Sequence, residues 1–416
     1  MTVYFINIAI ILILGILMCE IKPNKIKTSA YLAICYASLT LVSGLRYGIG
    51  FDYYSYINVF RQTSKLSFAK LLDAPVEPGF AIILKIISLF TDNAYAMHFA
   101  LSAIVNGVLI LFVLLYVKRG QWLAVGSYVM LSLNYYGTFN LIRQYFAAII
   151  SLYAIVYLMR RKPVQFFAFV LVAASVHKTA LILLPLYIVA SLDLNWKTLT
   201  LYGTAALGFY AFSIEILKFV TKYAFKDYNP ETSMYMTMNL SLIFAVIPFI
   251  VALAAYLLKG SLLKLDKGNI VLVNFAFYNF IFYFFATKHY ITERLSTYFF
   301  ISTVLLIPQI VDVFRIDEGS LKKLEELKLA ANEKGINPTL QKKRMQSYTE
   351  FNESLKDSRS FYRFSLALII FVFFLGHQFA VSTTYHRVFP KYYSIFDNQQ
   401  QIDEMVNKTY GSVIYK

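Results

Sequence analysis

The sequence has little of what enzymes commonly use to bind nucleotides or metals. It contains no P-loop, no glycine-rich nucleotide fingerprint and no HExxH pair, so chemistry that depends on ATP or zinc is not supported. There are two cysteines, Cys19 and Cys35, and both lie within apolar runs. We expect them to be small core residues with no disulfide or metal role. The sequence therefore predicts a protein without a cofactor or a bound metal.

Charged residues are also scarce, which excludes an ordinary soluble domain. Of 416 residues, 15% are charged and 58% are hydrophobic, and the mean hydropathy is +0.58. Apolar runs near twenty residues match the ~30 Å hydrocarbon core of a bilayer, so we predict an integral membrane protein. The formal net charge of +16 does not indicate nucleic acid, because basic residues accumulate at the cytoplasmic ends of membrane helices. A positive balance also favours an anionic lipid substrate.

Basic runs set the predicted direction of the spans. Lys and Arg mark the cytoplasmic face, so the runs at 22–27, 118–119, 160–162 and 259–267 place the N-terminus outside. We predict an all-α protein of about twelve transmembrane helices, at 3–18, 29–45, 94–117, 122–136, 141–159, 164–176, 179–191, 196–214, 239–258, 269–286, 293–311 and 361–381. Two of these, 164–176 and 179–191, are shorter than a full span, which is typical of helices that line a protein cavity.

The segment 79–90 does not fit this alternation. It is short and carries Lys85, and a span here would place Lys118 and Arg119 outside, against the charge rule. We therefore predict a short re-entrant or interfacial helix.

The predicted organisation has four parts. They are a transmembrane catalytic core at 1–314, a cytoplasmic charged helical insert at 315–360, a last transmembrane helix at 361–381 and an extracytoplasmic tail at 382–416. The insert is rich in Lys and Glu, which is typical of a solvated helix; a helix that docks a partner is the alternative.

The other ionisable residues gather at the span ends opposite the basic runs. They are Arg46, Asp52, Glu77, Arg143, His177 and Arg294. Charges at this face are not needed to orient the spans. Ionisable groups at membrane depth have a high free-energy cost, so their presence indicates a functional site. We therefore predict a polar pocket that faces away from the cytoplasm.

The first polar motif is the segment 45–56, LRYGIGFDYYSY. Gly48 and Gly50 permit turns that a Cβ would hinder, so Arg46 and Asp52 are expected to face one site. They either form an ion pair that pins a loop, or act as a phosphate-binding arginine beside a candidate base. The segment also contains Tyr53, Tyr54 and Tyr56. Their rings suit an aromatic belt at the membrane interface and a stacking surface for sugars equally well.

Two further motifs begin apolar helices. Glu77 precedes Pro78, so it is either a helix cap or a group that binds a sugar hydroxyl or acts as a base. Asn140 is expected to cap the helix that follows it. Arg143 lies one turn inside that helix, where an unpaired charge is unfavourable. It needs a partner, which is either a structural carboxylate or a pyrophosphate held in fork geometry.

The last two motifs add a histidine and another arginine. His177 lies between the two short predicted helices, beside Lys178, and is either structural or a base, since its pKa suits proton transfer near neutral pH. Lys178 is a candidate phosphate contact. Glu293 and Arg294 open a span and either pair with each other or leave Arg294 as a second phosphate contact.

Together these motifs resemble the EpsG family of Wzy-like polysaccharide polymerases. The matching segments follow the family's order over the chain up to about Pro308: RYGIGFDYxxY at 46–56, EPGF at 77–80, NLIRQ at 140–144, HKTALI at 177–182 and ERLSTYF at 293–299. The insert at 315–360 is longer than the pattern suggests, and the resemblance implies nothing about its role.

The resemblance implies a GT-C-like glycan polymerase at the outer face of a bacterial plasma membrane, its active site facing the periplasm or cell exterior. Such proteins join oligosaccharide units carried on undecaprenyl pyrophosphate into O-antigen, capsule or exopolysaccharide. No nucleotide sugar is used at that step, in agreement with the missing nucleotide motif. The implied partners are the lipid bilayer and the lipid-linked oligosaccharides. A chain-length regulator and a flippase of the same pathway are also implied.

This reaction assigns expected roles to the polar residues. A departing pyrophosphate needs fixed positive charge, for which the candidates are Arg46, Arg143, Lys178 and Arg294. The acceptor hydroxyl needs a base, for which the candidates are Asp52, Glu77 and His177, with His177 ranked slightly ahead of Asp52. Groups expected to bind glycan are Tyr53, Tyr54, Tyr56, Asn140 and Gln144. A divalent ion held by the oxygens of Asp52 and Glu77 stays open as an alternative.

Other classes of protein fit part of the pattern. A flippase or other transporter of lipid-linked glycans would place its polar groups along a path near the midplane, whereas here they gather toward one face. An O-antigen ligase would share the carrier and differ in the acceptor. A membrane acyltransferase would rest mainly on His177, and a structural assembly protein would require the charges to pair internally.

Overall fold

The computed structural model describes residues 2–21, 23–131, 134–223, 239–315, 318–333, 337–380 and 392–410. Throughout these ranges the chain is helical, without a β-strand, and this confirms the predicted all-α class. The helices of the first half are α1 (Thr2–Gly15, continued by a π-helical turn at Ile16–Glu20), α2 (Lys25–Gly44), α3 (Tyr53–Lys65), α4 (Pro78–Ser88), α5 (Ala94–Tyr116), α6 (Gln121–Met130), α7 (Asn134–Gly137), α8 (Ile142–Met159), α9 (Pro163–Val176) and α10 (Leu186–Val189), with 3₁₀ turns at Phe68–Asp73 and Lys178–Leu183.

The second half continues with longer and bent helices. They are α11 (Trp196–Ala211), α12 (Ser213–Tyr223), α13 (Val246–Leu257, preceded by a 3₁₀ turn at Leu242–Ala245), α14 (Lys259–Leu265), α15 (Asn269–Ala286), α16 (Ile291–Phe300), α17 (Thr303–Asp312), α18 (Glu318–Ala331), α19 (Pro338–Ala380) and α20 (Gln399–Tyr410).

Fewer helices than predicted are long enough to cross a bilayer. Within the described ranges, six helices meet the length and composition of a membrane span, or up to nine if each of three bent pairs counts as one span. The prediction was about twelve. The difference lies in segments that the structure builds from shorter pieces, such as α6, α9 and α10. α4, the predicted re-entrant or interfacial helix, has 11 residues and is about 16 Å long, roughly half the apolar core.

α8 forms the centre of the bundle. In its most apolar window 83% of the residues are buried, against 28% in the N-terminal span at 2–20. α8 packs against α5, α9, α15 and α16. Small buried side chains on it, those of Ala147, Ala148, Ser151 and Ala154, let neighbouring helices approach closely. The first turn of α8 is therefore held rigidly, and it carries Arg143.

The long helices define two ends of the bundle. α2 begins at Lys25 and is followed by Arg46, while α8 carries Arg143 in its first turn and is followed by Arg160. Arg160 lies over the ring of Tyr116 at the end of α5. We call the end with Lys25 and Arg160 the basic end, and the end with Arg46 and Arg143 the site end.

The described part of the predicted tail packs onto the site end. Its residues 392–395 run antiparallel to the start of the first motif: the Tyr47 amide donates to the Tyr393 carbonyl over 2.8 Å, and the Ile395 amide to the Leu45 carbonyl over 2.9 Å. In α20, the Asp403 carboxylate accepts from the hydroxyls of Tyr47 at 3.0 Å and Tyr54 at 2.5 Å. The rest of the tail at 382–391 and 411–416 lies outside the described residues.

The charged insert and the helix after it are one continuous structural unit. α19 runs from Pro338 to Ala380 across the predicted boundary at 360–361, and α18 packs along its first half. The second half of α19 packs against α6 and α17. The predicted boundary at 360–361 therefore falls within a single helix, and the division into insert and last span stays a prediction.

Gly50 fixes the path of the first motif. It has a φ of +105°, a conformation that L side chains rarely adopt, and a Cβ placed on it would lie 2.3 Å from the Phe139 carbonyl oxygen. The loop therefore approaches the start of α8 backbone to backbone, as the sequence predicted for the glycine pair.

Gly50→Ala is expected to lower the free energy of unfolding by about 2 kcal/mol or more, because both the backbone conformation and the contact with Phe139 oppose a Cβ. The measurement is the thermal unfolding midpoint of purified protein in detergent. Gly208→Ala is the matched control: a Cβ at Gly208 in α11 meets nothing within 4 Å, so this change is expected to be neutral or stabilising by up to about 1 kcal/mol. Equal midpoints for the two variants would contradict the account of Gly50.

Candidate active site

The Glu77 carboxylate joins three helix ends. It precedes Pro78 at the start of α4, yet its side chain makes no capping hydrogen bond. Instead, Oε2 lies 2.5 Å from Nη1 of Arg143, and Oε1 lies 2.8 Å from Nδ1 of His177. The Lys178 amide also donates to Oε1 over 3.2 Å. Of the two alternatives predicted for Arg143, the structure thus supplies the carboxylate.

Local sequence explains why these helix ends meet. α9 ends at Val176 and His177 is its extended C-cap residue, so the chain turns at the histidine. α4 packs against α9 so closely that a Cβ on Gly79 would lie 2.3 Å from the Ser175 hydroxyl oxygen. Glycine after Pro78 therefore permits the approach that brings Glu77 to His177.

Charge compensation dominates the electrostatics of Glu77. Burial by itself would raise its pKa, but the hydrogen bond with His177 and the positive charge of Arg143 outweigh this effect and lower the pKa from 4.5 to about 2. The side chains of Glu77, His177 and Arg143 keep 14%, 19% and 29% exposure. The Glu77 carboxylate is therefore ionised, and the cluster is mostly buried but still open to a ligand on the side of the arginine.

Asp52 lies next to this cluster. It is the residue before α3, and its amide donates to the Asn140 side-chain oxygen over 3.0 Å. Burial raises the pKa of Asp52 above its usual value, opposed by the charges of Arg294 and Arg143. The predicted cap role of Asn140 is wrong, because α8 starts one residue later than expected with Leu141 as N-cap. Asn140 instead ties the first motif to the third.

Gln144 and Thr179 hold α16 against the site. The Gln144 amide nitrogen donates to the Arg294 carbonyl over 2.5 Å and to the Thr297 hydroxyl over 3.1 Å. On the other side, the hydroxyls of Thr179 and Tyr298 share a hydrogen bond of 2.8 Å. Gln144 is buried, so it positions Arg294 through the backbone. The expected glycan contact of Gln144 has no support in this placement.

Arg46 lies in a different environment. It is 1% exposed, donates to the Ser43 carbonyl and lies 3.5 Å from both the Ser102 hydroxyl and the Phe139 carbonyl. Its guanidinium also sits 5.0 Å from the centre of the Phe139 ring. No carboxylate of the described residues pairs with it, so the alternative of an Arg46–Asp52 ion pair is not realised. Carbonyls and aromatic rings stabilise this charge inside the protein.

The three tyrosines of the first motif divide between the core and the tail. Tyr53 is fully buried and stacks on His98 with the ring centres 4.2 Å apart. Tyr56 is buried against Phe80. Tyr54 is partly buried and donates to Asp403. The predicted stacking surface for sugars is therefore reduced to the exposed part of Tyr54.

Sequence reasoning missed Asp403 and His98. Asp403 accepts a hydrogen bond from Tyr47, which lies 356 positions earlier in the sequence. No motif around Asp403 indicates that it lies at the site end. His98 is 1% exposed within α5, where a single histidine on an apolar helix carries no signal. The exposed Lys178 was found, since it follows His177 directly. No group of three or more His, Cys, Asp or Glu side chains in the described ranges converges to hold a metal ion.

The chain is similar to one known protein family. The family model described as the EpsG family matches residues 29–324, more than half of the chain. This is a family of Wzy-like polysaccharide polymerase-type proteins, and the match confirms the resemblance carried by the motifs. All five motifs fall inside the matched range. No curated protein and no solved structure matches the chain significantly.

The low pKa of Glu77 predicts a specific dependence of stability on pH. Since the folded pKa of about 2 lies below the ordinary 4.5, the carboxylate contributes stability that is complete above about pH 5 and is lost as the pH falls toward 2. Its size is on the order of 3 kcal/mol. In detergent, the difference in unfolding midpoint between wild type and Glu77→Gln is expected to shrink between about pH 6 and about pH 3. A constant difference over that range would contradict the ion cluster.

Proposed function

This chain belongs to the EpsG family, and we propose from that premise that it joins lipid-linked oligosaccharide units into a surface polysaccharide. The donor is a glycan on undecaprenyl pyrophosphate, and the acceptor is a sugar hydroxyl of a second lipid-linked unit. The observation that carries the proposal is the cluster of Glu77, Arg143 and His177, which combines a partly exposed arginine with a histidine oriented by a carboxylate.

Arg143 is the proposed contact for the leaving pyrophosphate. Departure of this group requires positive charge where negative charge develops. A guanidinium has five N–H donors, and Glu77 engages Nη1, so a phosphate can approach the remaining donors. Arg294, whose charge acts on Asp52 from α16, and the exposed Lys178 are the proposed further contacts.

His177 is the proposed base for the acceptor hydroxyl. With the proton of Nδ1 directed at Glu77, Nε2 is left as the acceptor, the arrangement by which a carboxylate orients a histidine in hydrolase triads. Glu77 itself is a poor base because its pKa is about 2, so we assign it to positioning. Asp52 is the competing base, since burial raises its pKa.

Arg46 is left out of the proposed phosphate site. Its guanidinium is buried and bonded to carbonyls, so it supports the loop that carries Asp52. Tyr53 is assigned to packing because it is fully buried. Tyr56 is also buried, and its hydroxyl interacts with the Arg143 side chain, so we assign it to positioning that arginine. Tyr54 and Asn140, which border Asp52, remain the proposed glycan contacts of the first and third motifs.

We place the reaction at the outer face of the plasma membrane. The support is the charge distribution, because the basic end carries the Lys and Arg runs typical of the cytoplasmic side. The site end then faces the periplasm or the cell exterior. The same proposal includes about twelve membrane crossings of GT-C-like arrangement. It also includes two partners, a flippase that delivers the substrate and a regulator of chain length.

A transporter of the same lipid-linked glycan is the alternative from another class. Transporters place their polar residues near the bilayer midplane, where broken helices meet. Here Glu77, Arg143 and His177 lie at the ends of α4, α8 and α9, which favours chemistry at one face.

Arg143→Ala is expected to abolish polymer formation while the protein level in the membrane is kept, since removing one donor for developing charge lowers a rate by about 10²–10³. The measurement is the length distribution of surface glycan in cells that lack the gene and carry either form. Arg160→Ala, at the opposite end of α8, is the matched control and should restore the full ladder.

Arg143→Lys keeps a charge beside Glu77 without the planar fork and is expected to give short chains. Full-length polymer from Arg143→Ala would reject the proposal, and lipid-linked units that accumulate on the cytoplasmic side would indicate a transporter.

His177→Gln is expected to lower the initial transfer rate by about 10²–10⁴, the range typical of a lost general base. The assay uses membranes supplied with purified lipid-linked oligosaccharide over a range of pH. Asp52→Asn is the paired variant and should retain more activity than His177→Gln. A larger loss for Asp52→Asn than for His177→Gln would move the base to Asp52.

A further inference from the structure

A second charged cavity lies at the basic end, on the far side of the bundle from Glu77. Its volume is about 830 Å³, within the range of about 300–1,000 Å³ that holds small ligands. Segments far apart in sequence line it: the connection from α1 to α2, the turn from α5 to α6, and parts of α18 and α19. They bring six cationic side chains together, Lys25, Lys118, Arg119, Arg315, Arg359 and Arg363, and no described residue with a carboxylate lines the cavity.

Most of these charges are not neutralised by the protein. Arg315 pairs with Asp312 at 2.9 Å and with Glu20 at 3.6 Å. Among the described residues, the ion pairs within 4 Å do not include Lys25, Lys118, Arg359 or Arg363. Arg359 and Arg363 are four positions apart on α19 and so share one helix face. The cavity therefore concentrates uncompensated positive charge.

Three neutral polar side chains of the cavity are already used within the protein. Asn24 caps α2 by accepting from the Lys27 amide at 2.8 Å. The Gln121 amide donates to the Val117 carbonyl at 2.8 Å, and the Tyr362 hydroxyl donates to Glu20. The ammonium groups of Lys25 and Lys118 and the guanidinium groups of Arg359 and Arg363 are outside the ion pairs of the described residues, and such donors select an anion, above all a phosphate.

One wall of the cavity is apolar and continues toward the membrane. Leu114 and Leu115 line it from the last turns of α5 and are 52% and 59% exposed, and α5 is among the candidate spans. An anion that binds here can therefore carry a hydrocarbon chain along α5. This combination of a phosphate-selective rim and an apolar wall matches a membrane lipid.

The general excess of Lys and Arg on one side of membrane proteins does not account for this arrangement. That excess explains the sign of the charge near the membrane, and exposed residues such as Lys264 and Lys267 satisfy it without lining the cavity. It does not require that cations from α2, the α5–α6 turn and α19 converge on one concave site.

We propose that this cavity binds the phosphate headgroup of an anionic membrane lipid, with the acyl chains lying along Leu114 and Leu115. The bound lipid would link the charged insert, through Arg359 and Arg363 on α19, to the ends of α2 and α5. This site is separate from the Glu77 cluster and does not depend on the proposed polymerase activity.

Lipid binding to the purified full-length protein in neutral detergent tests the proposal. The readout is native mass spectrometry during titration with phosphatidylglycerol, with phosphatidylcholine and inorganic phosphate as comparison ligands. The test variant is Arg359→Gln with Arg363→Gln, two exposed positions on α19. The matched control is Lys264→Gln with Lys267→Gln, which removes the same charge from the same end outside the cavity.

Wild type and the control are expected to bind phosphatidylglycerol with equal affinity, and the test variant about 30-fold more weakly. Phosphatidylcholine is expected to bind wild type much more weakly than phosphatidylglycerol. Equal loss in both double variants would show a diffuse charge effect and overturn the proposal. Inorganic phosphate that competes at the same concentration as the lipid would show a soluble phosphate site and overturn the lipid assignment.

Discussion

The ionised carboxylate of Glu77 is the constraint on which the site end depends. It holds Arg143, 66 positions away, and His177, 100 positions away. A mostly buried ion cluster of this kind is stable while every member is paired, and removal of one partner leaves an uncompensated charge in a poorly solvated place. α4, α8 and α9 therefore position one another. α4 begins, and α9 ends, at this polar cluster.

The two arginines of the site end, Arg46 and Arg143, are stabilised by different interactions. Arg143 is paired with a carboxylate and keeps 29% exposure, whereas Arg46 is buried among carbonyls and the Phe139 ring. Carbonyl dipoles and π-systems offset the desolvation of a guanidinium without neutralising it. A ligand can reach Arg143 from the open side of the cluster. Arg46, at 1% exposure, has no comparable open side.

Sequence reasoning located the polar residues but predicted few of their partners. It required a partner for Arg143 and marked Glu77 as polar, yet the pair could not be assigned, since it depends on the close approach of Gly79 to Ser175 across a helix crossing. Asn140 shows the same limit: its sequence position suggested a cap, and a one-residue shift of the helix start redirected its side chain to Asp52. Asp403 had no local signal at all. The predicted twelve spans are not confirmed within the described ranges, because apolarity alone does not reveal where a helix breaks.

Charge is arranged in opposite ways at the two ends, and this bears on how a substrate would enter. At the site end, Glu77 already pairs with Arg143, so on the proposed function a pyrophosphate would share that arginine with Glu77. A phosphate that attracts the Arg143 guanidinium would weaken the ion pair between Arg143 and Glu77. The negative charge of Glu77 would then act more strongly on His177. A stronger contact between Glu77 and Nδ1 would hold the imidazole ring more firmly in the orientation that leaves Nε2 for the acceptor hydroxyl. On the proposed function, arrival of the leaving group would then prepare the base, and donor binding and acceptor activation would be coupled through one carboxylate.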